Sequence, residues 1–115
     1  DLFAKQLIII PVNMPGHWSL IVVFRPWGLV DPSKGRAHIL FMDSMNEKNK
    51  SVVEAVRMYN ILDVDIYIEL VGKKLHPEAD ITITDDNLPD YQLLVPRQTN
   101  FHDCGLYMLS NVESL

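Results

Sequence analysis

The sequence contains a single cysteine, Cys104, preceded by Asp103 and followed by Gly105 and a periodic apolar run. Asp is a favoured N-cap residue, so Cys104 is predicted to sit in the first turn of a helix. Free N–H groups and the helix dipole there favour thiolate over thiol, and the thiolate is the nucleophile. Gly105 leaves room for a substrate chain. Taken alone, Cys104 also fits a small buried hydrophobe, the commoner fate of a lone Cys. Its chemistry therefore depends on what stands beside it. His17 opens the run His17–Phe24 and Asp43 closes Arg36–Asp43. In an antiparallel pair the start of one strand lies beside the end of the next. A carboxylate placed so can hold an imidazole's tautomer and stabilise its charged form. Thiolate, base and orienter together make a Cys–His–Asp nucleophilic set. Singly, His17 fits a surface turn and Asp43 a cap.

Gln98 lies six positions before Cys104, with the short turn Thr99–Asp103 between them. Its amide and the Cys104 backbone N–H could form an oxyanion hole. Alone, it reads as a solvated loop residue. Trp18 follows His17 and could roof a groove for an extended substrate, or simply pack in the core. Asn100 suits a turn fixed by side-chain to backbone bonds. His102 is the rival base. It ranks lower because it shares the tight turn with Cys104 and has no orienting carboxylate except Asp103.

The elements that must position these residues follow from pattern. Lys5–Val12, His17–Phe24 and Arg36–Asp43 are short, apolar and rich in β-branched residues, which predicts strands. Asn13–Gly16 is turn chemistry, and 25–36, with two Pro and two Gly, is a loop insertion between the arms of a hairpin. Residues 44–50 are polar and capping-rich. Ser51–Leu62 is helical by period, through Val52, Val53, Val56 and Tyr59. Val64–Val71 fits either a strand or a helix end. Residues 72–90 are polar and Asp-rich, a surface connection with a short extended piece at Ile81–Thr84. Tyr91–Val95 is predicted as a strand ended by Pro96, and Cys104–Leu115 as a helix.

Composition bounds the function. The 115 residues fit one domain, and with 48% hydrophobic and 22% charged residues a packed core is expected. Both ends look abrupt, so the chain is expected to be part of a larger domain. The net charge is −5 and the longest basic run is Lys73–Lys74. A nucleic-acid partner is not expected, because that affinity needs several phosphate-neutralising cations. No apolar run reaches the ~18 residues that would cross a bilayer. One Cys excludes an intrachain disulfide and suggests a reducing compartment, nuclear or cytoplasmic. The four His and one Cys show no metal-ligand spacing. No metal, no cofactor and a monomer are expected.

Pro96–Gly105 (PRQTNFHDCG) resembles the P-x-Q-x-N-x-x-D-C-G signature of the ubiquitin-like-protein-specific cysteine proteases, the SUMO (sentrin)-specific family. His17–Trp18, after Pro11 and Asn13, resembles that family's P-x-N-x-x-x-H-W box, and Asp43–Ser44 its strand-ending D-S. The order His, Asp, Gln, Cys also matches, and the resemblance runs from about Ile8 to Leu109. It implies a papain-like (adenain-like) α+β core with a mixed central sheet and the nucleophile at a helix N-terminus. It implies Cys104 as nucleophile, His17 as base then acid, Asp43 as orienter, Gln98 as oxyanion donor and Trp18 as the lid over a Gly-Gly tail. The implied reaction is cleavage after that tail, maturing a SUMO precursor or freeing SUMO from lysine. A protease for ubiquitin or another modifier, and an inactive module that binds such a modifier, are the alternatives. Two features depart from the simplest members. Phe101 stands where Gly is usual, and the longer loop 25–36 is more like the branch with insertions, which edits SUMO chains. The family's helical region before the His box and its segment after the Cys helix are expected to lie outside these residues.

Overall fold

The computed structural model describes residues 1–14, 17–43, 50–92 and 104–115, and at 14, 17, 50–56 and 104–107 the backbone path. The β-branched runs form β1 (Leu7–Met14), β2 (His17–Phe24) and β3 (His38–Met42). They are followed by α1 (Lys50–Leu75), β4 (Asp90–Gln92) and α2 (Cys104–Glu113). The sheet order is β1-β2-β3-β4. β1 and β2 pair antiparallel from Leu7↔Phe24 to Met14↔His17, so 13 and 14 of the predicted turn belong to β1, and 15–16 lie outside the described residues. β2 and β3 are antiparallel with Leu20 opposite Met42, whereas β3 and β4 are parallel with Leu40 opposite Tyr91. This mixed sheet with helices is the α+β class the sequence predicts.

Both sheet faces are covered, which explains runs that are apolar throughout rather than alternating. Ile21, Val23, Ile39 and Phe41 pack with Phe3 and with Ile61, Val64 and Ile68 of α1. Leu20, Val22 and Met42 pack with Met108 of α2, flanked by Val112. Pro11 sits on β1, an edge strand, where a missing N–H costs no ladder bond.

Three predicted boundaries move. α1 continues through 64–71 and takes the first residues of the 72–90 connection, because Ile61, Val64, Ile68, Val71 and Gly72 recur at helical spacing toward the core. Ile81–Thr84, expected as a short extended piece, pairs in no ladder, and Ile81 is buried beside Gly72 in the cluster that holds Phe3. Nearby, Thr84 N–H donates to Asn87 Oδ1 at 2.8 Å and Asn87 Nδ2 donates to the Thr82 carbonyl at 2.7 Å. β4 is Asp90–Gln92, and 93–95 lie outside the described residues. The 25–36 loop is two 3-10 turns, Pro26–Leu29 and Pro32–Lys34, tucked in by buried Pro26 and Leu29. Asp31 caps the second by accepting from the Ser33 N–H at 3.1 Å.

Candidate functional site

The strand directions bring distant residues to one edge of the sheet. Because β2 runs against β3 and β4 runs with it, the start of β2 and the ends of β3 and β4 share that edge. His17 is the first residue of β2 and Asp43 directly follows β3. The chain leaving β4 there leads on to α2, whose first residue is Cys104. α2 lies against the sheet through Met108, which clusters with Leu20 and Met42. Leu20 is three residues from His17, Met42 one residue from Asp43, and Cys104 one helical turn before Met108.

Asp43 is only 1% exposed. A buried carboxylate is tolerated only with partners, and Asp43 is not without one. Trp18 is 36% exposed, so it is a rim residue rather than a core one. Gly105 lies in the first turn of α2. Gln98, Asn100, Phe101 and His102 lie outside the described residues.

Two polar features are absent from the sequence reading. Ser19, 1% exposed, interrupts the apolar run of β2 beside the His17 end, and its position there was the available signal. Arg57 of α1 pairs with Asp90 at the start of β4, tying the helix to the strand that feeds the Cys104 arm. Nothing in the spacing of 57 and 90 announces that pair. Near it, half-buried Asp65 is pushed up to about 6, first by burial and then by Asp90, Asp85 and Glu69. Among the described residues no group of three or more His, Cys, Asp or Glu could hold a metal ion, and no helix is long and apolar enough to cross a membrane.

Comparison with known proteins agrees with this architecture. The model of the Ulp1 protease family, C-terminal catalytic domain, matches residues 1–115. The chain is 34% identical to "Probable ubiquitin-like-specific protease 2B" of Arabidopsis thaliana, over 98% of this chain and 12% of that protein. It is 30% identical to human sentrin-specific protease 5, over 100% of this chain and 13% of that protein. It therefore spans roughly an eighth of these relatives' length. A solved structure described as a de-sumoylating protease superposes with TM-score 0.71 at 20% identity, covering 97% of this chain and 38% of its own. That likeness establishes the fold. With the family model matched from residue 1 to residue 115, the chain belongs to the Ulp1 protease family of cysteine peptidases, within its C-terminal catalytic domain.

Proposed function

We propose that this chain carries the catalytic centre of a thiol protease that cleaves after the Gly-Gly tail of a ubiquitin-like modifier, SUMO foremost. The observation that carries the reading is the shared sheet edge: the start of β2 and the end of β3 meet there, beside a helix that begins at Cys104. The names of the sentrin-specific relative and of the de-sumoylating structure favour SUMO among the modifiers.

On this reading the Cys104 thiolate attacks the carbonyl carbon of the terminal glycine. His17, held by Asp43, bears the proton that the thiol gave up. The oxyanion of the tetrahedral intermediate is met by the Cys104 backbone N–H and the Gln98 amide. The intermediate collapses to a thioester as His17 protonates the departing lysine amine. Water, deprotonated by His17, then attacks the thioester and regenerates the thiol. Trp18, at the rim, roofs the tail. Asn100 is given the task of fixing the segment before the nucleophile by side-chain to backbone bonds. Only a residue without a Cβ passes such a roof easily, which suits glycine.

The test uses the full-length protein and modifiers bearing a C-terminal electrophile. Covalent capture of the SUMO probe by the parent, lost in Cys104→Ala while SUMO still binds, is the expected result. Capture of a ubiquitin probe alone would move the substrate to ubiquitin. Turnover unchanged in Cys104→Ala would remove the protease reading.

A further inference from the structure

Ser19 is the one hydroxyl residue within β2. It is 1% exposed, and its Oγ has no hydrogen-bond partner among the described residues. A buried hydroxyl left unpaired is costly and uncommon in folded proteins, and Ala would occupy the same space without that cost. Its position suggests why a hydroxyl stands there. Leu20 of β2 lies opposite Met42 of β3. Continued one residue past the end of β3, that register sets Ser19 opposite Asp43, which is equally buried at 1% exposure. Counted on from the paired residues Ile21 and Phe41, the strand alternation puts both on one sheet face. Residues facing each other in this way have Cβ atoms about 4.5–5.5 Å apart, a gap that a serine hydroxyl closes to a carboxylate by rotation about χ1.

We propose that Ser19 is a positioning residue, whose hydroxyl donates to a carboxylate oxygen of Asp43 and fixes the plane in which that carboxylate meets His17. The inference rests on the Cys104–His17–Asp43 assignment. A carboxylate that orients an imidazole uses one oxygen for the ring N–H, and its rotation about the Cβ–Cγ bond is restrained only if the other oxygen is also held.

The experiment measures kcat and KM for release of a modifier from a lysine-linked substrate by the full-length protein, with the rate of Cys104 alkylation by iodoacetamide. Ser19→Ala is expected to lower kcat about tenfold with KM changed less than twofold, and to slow alkylation at neutral pH. Ser19→Thr, which keeps the hydroxyl, is expected to retain most of kcat. In an Asp43→Ala background, Ser19→Ala should remove nothing further from the residual rate. A Ser19→Ala enzyme with kcat within twofold of the parent would overturn the proposal. So would equal losses in Ser19→Ala and Ser19→Thr, or an undiminished loss in the Asp43→Ala background. A Cys104→Ala control that still turns over would instead strike the protease reading itself, whatever Ser19 does.

Discussion

Burial decides the behaviour of single side chains in this molecule. Asp65 is half-buried with one carboxylate oxygen unpaired among the described residues, and its affinity for the proton rises to about 6 from the usual 3.8. The fold therefore holds a proton that the unfolded chain releases, and the sign follows. The stabilising contribution is complete below pH 3.8 and is lost as the pH climbs through about 6. Asp65→Asn should accordingly stabilise the protein at pH 7.5 by about 1 kcal/mol, a figure reduced for partial solvent screening. Near pH 3.5 the gain should vanish. Urea midpoints at the two pH values measure it, and a variant less stable than the parent at pH 7.5 would contradict it. Cys104, His17 and Asp43 are proposed from the sequence because the chemistry of such a set demands particular residue types in order. Asp65 and Ser19 could not be, since their roles depend on which water they lose, and spacing carries no record of that.

Among the elements, α1 shows where pattern reading stops. Its inner side carries Ile61, Val64 and Ile68, while Met58, Leu62, Ile66 and Leu70 stand exposed on the other. A helix apolar on both sides has little periodic contrast, so 64–71 could pass for a strand. The strands were easier, because β-branched residues crowd them and turn residues bound them. The 25–36 loop was recognised by its Pro and Gly but not by its packing. There, a Cβ on Gly28 would lie 2.2 Å from the Gly35 carbonyl oxygen and 2.9 Å from the Ala37 nitrogen, both backbone atoms. Gly28→Ala should then cost about 2 kcal/mol or more, because backbone must move. Gly72→Ala should cost less: its nearest obstacle, Ile81 Cδ1 at 2.9 Å, is the end of a flexible side chain. Thermal unfolding of the two variants compares them directly, and equal losses would count against this account.

Across the molecule, the hairpin β2–β3 is formed by neighbouring segments, whereas β4 returns to β3 only after α1 and the connection that follows it. That is why the hairpin could be foreseen from sequence and the parallel pairing could not: nothing local in Asp90–Gln92 names its partner strand. The same contrast orders local stability. Tyr91 and Gln92 lie in a three-residue edge strand, while Ile21, Val22 and Val23 are fully buried in the middle of the sheet. In native-state hydrogen exchange, the amides of β4 should open at lower free energy than those of β2. Equal protection in both strands would refute this. The chain segment that delivers Cys104 thus joins the body through the weakest seam of the sheet, held on its far side by the Arg57–Asp90 pair. In a copy still emerging from the ribosome, His17 and Asp43 leave the exit long before the sulfur they are proposed to serve. On the proposed assignment, immature chains are harmless to the modifiers around them, and cutting power waits until β4 and then α2 have docked.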